Sequence, residues 1–444
     1  MKATRLPTDP GPAAWDAILP SGRRYPALEE NVTTDWLIVG AGFGGLAAAR
    51  RLRQIHPTDS ITLLEARKIG EGPIGRNSGF MIDLPHNLVS DDYAGALEKD
   101  RAEAIENRAA ISFAEKAARE FGFSSDTLVR SGKVNAAATD NGTKHNRDYA
   151  AHLSKMGEEH QLLDAAQMAE MSGSDYYQSG LFTPGTAMLQ PAAFAREMAD
   201  GLTSQMIQVC EGSPVTSLDR TDNVWTAKTP NASIQAAKVL LTINGHLESF
   251  GFFKRRLMHI YLYGSMTRPL TAEEDRRLGG QPAWGFTPAD PMGTTVRKIA
   301  TPEGPRIVIR NGVTWSPSRE ARKRDVEKMS CTHDRSFLAR FPMLPDVDMA
   351  YRWGGLLCLS RNGTSAFGEV EPGLFAAGCQ NGLGAARGTY SGMMVAELAS
   401  EQSSESLTRF RNQAAPSRLP IEPLATMGAK MTLRWSEYKA GREL

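Results

Sequence analysis

The chain has 444 residues, 41% of them hydrophobic and 23% charged; this is a globular composition, long enough for two cores, and it excludes disordered and fibrous classes. A formal net charge of +1 gives no sign of nucleic acid or an anionic membrane as the main electrostatic partner. Cys210, Cys331, Cys358 and Cys379 are scattered, with no CxxC and no histidine cluster beside them, which argues against a disulfide framework or a metal site and fits reduced thiols in the cytoplasm.

Met1 to Glu30 reads as an irregular lead, rich in Pro and charge. It lacks the apolar segment of a signal peptide, and no run of about 18 apolar residues is present to span a bilayer, so a soluble cytoplasmic protein is expected. Asp35 to Val39 is apolar enough for a strand covered on both faces. The glycine-rich stretch Gly40-Ala41-Gly42-Phe43-Gly44-Gly45 follows, then an Ala/Arg-rich helix from Leu46 to Gln54, a turn at Pro57 to Asp59, and a second strand from Ser60 to Glu65. Residues 91–122 are predicted helical. Short strands, a helix near Thr143 to Met156 and a helix from Pro191 to Leu202 come next, with Pro191 in the first turn where a missing N–H costs least. Strands are expected at Pro214 to Leu218, Val224 to Thr229 and Lys238 to Asn244. Residues 257–320 read as mostly strand and Arg322 to Ala339 as a helix. A strand runs from Gly373 into the loop at Gly378, and a helix carrying Gly392 follows. The last forty residues contain Pro416, Pro420 and Pro423 and are expected to form an extended arm with a short terminal helix.

The strongest motif is Gly40-x-Gly42-x-x-Gly45 between a predicted strand and a predicted helix. The first glycine permits the tight turn, the second admits a pyrophosphate close to the backbone, and the third lets helix pack on sheet. Exposed N–H groups and the helix dipole favour the negative charge of the diphosphate. Glu65 ends the second strand about 20 residues on, where a carboxylate accepts from ribose hydroxyls. A bare GxGxxG is weak; strand, helix, second strand and acid in register make dinucleotide binding the reading of choice over an unliganded turn. A second loop, Gly70 to Gly79, and a third, Gly378 to Gly388, suit a long two-part cofactor and favour FAD over NAD, although close helix packing also explains part of the third.

These residues resemble the D-amino-acid-oxidase-like superfamily of flavoproteins, and within it the bacterial γ-glutamylputrescine-oxidoreductase-like branch. The resemblance covers roughly residues 15–400. It is carried by Ile38 to Leu46, by Gly75-Arg76-Asn77-Ser78-Gly79, Leu189-Gln190-Pro191, Pro214-Val215-Thr216, Leu241 to His246, Met266 to Leu270, Arg352-Trp353-Gly354-Gly355 and the Gly378 to Gly388 loop. It implies a mixed α/β fold: a Rossmann-type FAD-binding domain with a discontinuous α+β substrate domain built on a mostly antiparallel sheet. The FAD domain is expected from 31–90, 191–250 and 345–400, and the substrate domain from 91–190 and 251–344, between the lead 1–30 and the arm 401–444. Carried over onto this chain, Gly40, Gly42, Phe43, Gly44, Gly45, Glu65 and Ala66 would hold the ADP half, and Val215 would lie near the adenine. Gly75, Arg76, Asn77, Ser78 and Gly79 would line the flavin's approach. Asn244, Gly245, Gly378, Asn381, Gly382, Leu383 and Gly384 would meet the rest of the cofactor. The reaction implied is oxidation of the C–N bond of a small amine or amino acid, with O2 or another acceptor reoxidising the flavin and no nucleic acid or membrane span involved. Two departures, Arg310 in place of a small residue and the stretch Ser360 to Phe367 without the usual Asp and Pro spacing, point away from γ-glutamylputrescine itself.

Substrate contacts are thinner in signal. Arg306 and Arg310 share one face of a strand, where a guanidinium could hold a carboxylate or simply be solvated. Tyr261 and Tyr263 alternate on another strand and suit an ammonium by cation–π attraction, or neighbour packing alone. Arg76 and Trp353 are candidates beside the flavin. His259 and His246 are candidate bases, although oxidation by hydride transfer needs only a neutral amine, and a structural role fits them better. Cys358 lacks the spacing for a covalent flavin link. A 2-hydroxy acid or glycerol phosphate substrate, or a non-catalytic FAD-binding subunit, remain the alternatives.

Overall fold

A computed structural model describes residues 1–8, 11–85, 87, 90, 93–320 and 323–444. The first positions expected for two helices, residues 91 and 322, lie outside the described residues.

Two eight-stranded sheets organise the chain. At the centre of the first is Val32–Val39, whose last four residues are all buried. It pairs in parallel with Ile61–Leu64 on one side and Ser233–Leu241 on the other. Leu374–Gly378 adds a further parallel strand beside Ser233–Leu241. This is a Rossmann-type arrangement, and its strands deliver their C-terminal ends to one edge, where ligands of open parallel sheets sit. Helices Phe43–Ile55 and Gly384–Ala399 cover one face and cross in intimate contact. A Cβ on Gly392 would stand 2.1 Å from the Gly44 carbonyl oxygen, so this crossing requires glycine.

The second sheet runs Met349–Leu359, Met258–Thr267, Arg306–Trp315, Thr295–Ile299, Trp284–Pro288, Lys133–Ala137, Ser179–Thr183, Gln161–Asp164. Every neighbouring pair is antiparallel except Trp284–Pro288 with Lys133–Ala137. Long strands here carry buried apolar residues such as Val296, Ile307 and Ile309, packed against Phe337 and Phe341. Strand Met349–Leu359 lies at the edge of this sheet, next to Met258–Thr267. Phe80–Met81, Ala187–Leu189 and Leu128–Arg130 form a small third sheet.

Three local readings shift. The strands expected at Pro214 to Leu218 and Lys238 to Asn244 lie at Ser217–Thr221 and Ser233–Leu241. The strand-rich stretch 257–320 contains a helix, Ala272–Leu278, started by a capping box in which Thr271 and Glu274 satisfy one another's backbone. After the prolines the arm forms a 17-residue helix, Leu424–Ala440, in place of a short one. Its three prolines all precede it, so nothing interrupts the ladder. No helix among the described residues is long and apolar enough to cross a membrane.

Candidate active site

A cavity of about 910 Å³ opens along the C-terminal ends of the parallel strands and reaches the face of the second sheet. Its first wall is the glycine loop. Gly40 has φ +99, the left-handed turn that ends the strand, and a Cβ at Gly45 would sit 1.8 Å from the Gly40 carbonyl oxygen. Gly42 is the residue before the helix and faces open space, with nothing within 4 Å of where a Cβ would be. Glu65 lines the cavity and accepts from the backbone N–H of Ala41 at 2.9 Å and of Arg67 at 3.0 Å. Burial raises its carboxyl above the usual range, against the pull of those N–H donors. Phe43, Gly44, Ala66 and Val215 line the same end, whereas Gly45 lies behind it as helix packing.

The second loop is held from behind. Arg76 and its neighbours Asn77 and Ser78 line the cavity, but the Arg76 guanidinium is committed to backbone carbonyls: Nε donates to Glu71 at 2.8 Å, one terminal nitrogen to Gly354 at 3.1 Å and the other to Gly11. Asn77 bridges its own turn, accepting from the Gly79 N–H at 2.7 Å and donating to the Ile74 carbonyl at 2.5 Å. Gly75 and Gly79 are buried behind the wall; a Cβ on Gly75 would stand 1.7 Å from the Gly70 oxygen, and one on Gly79 1.9 Å from Arg297. Trp353 is 2% exposed and is not a wall residue. Its indole N–H donates to the Arg76 carbonyl at 3.0 Å and its ring packs with Trp15, Met266 and Val308. Trp353, a candidate for the flavin's neighbourhood, thus stands behind the cavity wall and braces Arg76.

Sequence reasoning missed Arg297. Buried without an acidic partner among the described residues, it lies near the faces of Trp15 and Phe80 and donates to the carbonyls of Ser78, Gly79 and Leu189 at 2.9–3.1 Å. Burial pushes it down to about 9. A lone arginine inside the strand Thr295–Ile299 carries no sequence signal for which loop it grips.

The third loop contributes Gly382 and Gly384 to the wall, and Asn244 faces it from the strand end. Asn244 accepts from the Cys379 N–H at 2.8 Å. Asn381, Leu383, Gly378 and Gly245 are packed behind. Asn381 accepts from the Ser360 N–H at 2.7 Å, and a Cβ on Gly245 would meet the His259 ring at 2.8 Å.

On the second sheet, Arg310, Tyr261 and Tyr263 all line the cavity. Tyr263 bonds Thr314 Oγ1 at 2.7 Å, and burial raises its hydroxyl. The Tyr261 hydroxyl donates to the Arg319 carbonyl at 3.0 Å. Beside Tyr263 the ladder slips: Tyr263 pairs with Asn311 and Leu262 with Val313, leaving Gly312, at φ +73, as a bulge. Arg310 sits two residues before that bulge, on a central strand between two others. Its guanidinium has no hydrogen bond or ion pair among the described residues, and burial lowers its basicity. Arg306, on the same face, is instead paired with Glu303 and donates to the Thr267 carbonyl at 3.0 Å. His259, the other candidate base, is buried off the cavity, its Nε2 2.7 Å from Glu248, which also accepts from Arg319 at 3.1 Å. His246 does line the cavity, pushed down to about 3 by burial and by Arg319, and is therefore neutral. Cys358 is fully buried, off the cavity and next to Cys379.

Two further walls were absent from the sequence reading. Arg5 to Thr8 of the lead, and Leu424, Ala425, Gly428, Ala429, Thr432, Leu433 and Ser436 of the terminal helix, close the remaining side. The apolar spacing of that helix was the available signal.

The profile of the family described as "DAO: FAD dependent oxidoreductase" matches residues 35–398. Probable oxidoreductase OrdL of Rhizobium meliloti (strain 1021) is 24% identical over 412 residues, covering 90% of each chain. Gamma-glutamylputrescine oxidoreductase of Escherichia coli (strain K12) is 22% identical over 397 residues, 84% of this chain and 85% of that one. Among solved structures, glycine oxidase from Geobacillus kaustophilus superposes with a TM-score of 0.70 at 16% identity, covering 88% of this chain and 100% of that one. At that identity the likeness is one of fold.

Proposed function

The chain belongs to the DAO family of FAD-dependent oxidoreductases, and from that premise we propose that it oxidises the C–N bond of a small amine or amino acid that carries an anionic group. The observation that carries this reading is Arg310, a guanidinium with no hydrogen bond or ion pair among the described residues, on the wall of the cavity that Tyr261 and Tyr263 also line.

The residues present suit FAD: the open space before Gly42 lies at a helix N-terminus, and Glu65 stands at the end of the adjoining strand for the ribose. In this reading the first sheet and its helices make the FAD-binding domain, from 31–90, 191–250 and the strands after 360, and the second sheet makes the substrate domain. Bound FAD supplies acceptance of a hydride from the carbon bearing the nitrogen, after which water hydrolyses the imine to a carbonyl compound and an amine or ammonia. The chain's own part is placement. Arg310 holds the anionic end of the substrate with charge-assisted hydrogen bonds, and the two tyrosine rings wall the amine. Arg76, Trp353 and Arg297 keep the intervening loop rigid. No base is assigned, since a neutral amine needs none. The glycine oxidase fold and the γ-glutamylputrescine relative both belong to proteins named for amine or amino-acid substrates, which favours this chemistry over a 2-hydroxy acid.

The test is anaerobic bleaching of the flavin band by a panel of primary, secondary and carboxylate-bearing amines. Bleaching confined to anionic amines is the expected result, with Arg310→Ala raising KM for them about tenfold to a hundredfold and leaving neutral amines unchanged. A flavin reducible by dithionite but by no amine overturns the reading.

A further inference from the structure

The helix Leu424–Ala440 has two unlike faces. Its inner face, through Ala425, Ala429, Leu433 and Ser436, closes the cavity, and Trp315 Nε1 donates to Thr426 Oγ1 at 3.0 Å to seat it. Its outer face presents Met427, Met431, Trp435 and Tyr438, spaced three or four residues apart and 57–79% exposed. Four large apolar side chains in one continuous exposed stripe, with the Trp435 and Tyr438 rings 6.0 Å apart, exceed the scattered exposure of an ordinary surface.

The charge around the stripe selects the occupant. Lys430 and Arg434 are exposed along one edge. At the N-terminal end Arg255 is tied to the arm, its carbonyl accepting from the Leu419 N–H at 2.7 Å, and exposed Lys254 and Arg418 lie next to these two residues in the chain. The arm's exposed acid nearest the helix is Glu422, while Glu437 is half-buried toward the strand. A second copy of the chain fits poorly: a two-fold antiparallel pairing of this helix would set the Lys430–Arg434 edge against itself. A helix of 17 residues with these charges does not cross a bilayer; it matches the pattern of a helix lying in the headgroup plane, apolar stripe down and cations at the phosphates.

We propose that the outer face of this helix docks the protein peripherally on an anionic lipid bilayer. The contact is reversible, since a single such helix gives binding that depends on lipid charge and ionic strength. Because the inner face of the same helix walls the cavity, the docked protein holds one wall of its site directly above the lipid surface.

The test uses the FAD-loaded full chain and vesicles of phosphatidylcholine with or without phosphatidylglycerol. Flotation with the phosphatidylglycerol vesicles, accompanied by a blue shift of tryptophan fluorescence and reversed by high salt, is expected. Met431→Ser combined with Trp435→Ser should weaken partitioning about tenfold or more, and Lys430→Glu with Arg434→Glu about tenfold, with flavin absorbance retained in both as the control for folding. No flotation, or flotation that neither pair of substitutions changes, overturns the proposal. So does a concentration-dependent dimer in sedimentation velocity that the Met431/Trp435 pair dissolves, which gives the face to a second copy.

Discussion

Arg310 and Arg76 show how much a single residue's role depends on its neighbours. Both are arginines on the cavity wall, yet Arg76 is held by three backbone carbonyls and Arg310 by none among the described residues. A sequence locates a guanidinium but not the carbonyls that engage it. Trp353 carries the same lesson: the Arg352 to Gly355 motif was visible, but the indole points to the back of the loop it braces. Replacing it by phenylalanine removes the donor to the Arg76 carbonyl, so Trp353→Phe should cost about 1–2 kcal/mol in denaturant unfolding while KM stays put. A change in KM without loss of stability would return Trp353 to the substrate. The glycine loop was legible because each of its glycines answers to a separate steric demand. Gly42→Val is expected to fold, since its side chain enters empty space, and to lose FAD affinity more than tenfold by filling the diphosphate's place. Equilibrium dialysis of FAD against the refolded apoprotein measures it.

Elements were legible where pattern and punctuation agreed. Val32–Val39, its helix and Ile61–Leu64 follow from an apolar run, a glycine turn and a second apolar run. Ala272–Leu278 was hidden inside a strand-rich stretch because it is short and rests on a cap more than on periodicity. The terminal helix was underestimated because Pro416, Pro420 and Pro423 pointed to an extended arm, whereas all three precede the helix and leave its ladder intact. The long helix Leu97–Phe121 carries a prediction of its own. Glu106, facing Arg409 at 3.4 Å, is pushed up to about 7 by burial, with Arg387 and Arg409 pulling the other way. Its folded form therefore holds a proton that the unfolded chain releases near pH 4.5, so stability is greatest below that point and falls as pH rises toward 7. Glu106→Gln should remove this slope, raising stability at pH 8 by on the order of 1–2 kcal/mol relative to the parent and by little at pH 4. Thermal unfolding across that range decides it; equal gains at both ends would mean that Glu106 does not titrate there.

At the scale of the molecule, a net charge of +1 concealed the uneven distribution that matters, because composition averages over faces. The arm is also a strap between the two sheets. It is bonded to Arg255 and Arg256 at one end, and at the other Glu443 accepts from the N–H groups of Ala138 and Thr139 at 2.8 and 3.0 Å. Glu443→Ala leaves those donors buried and unmet and should lower stability by about 2–4 kcal/mol, read by urea unfolding; no change would mean the strap is not fastened there. The crossing of Gly44 with Gly392 has a further consequence for how the protein is made. The loop that cradles the diphosphate leaves the ribosome early, but the helix that backs it arrives almost 350 residues later, after both sheets have been laid down. At ordinary rates of translation that is a wait on the order of tens of seconds, during which an apolar strand edge and a glycine-rich helix stand uncovered. Chaperone dependence during synthesis, and retention of flavin only by chains elongated past that second helix, are what such an interleaved order entails.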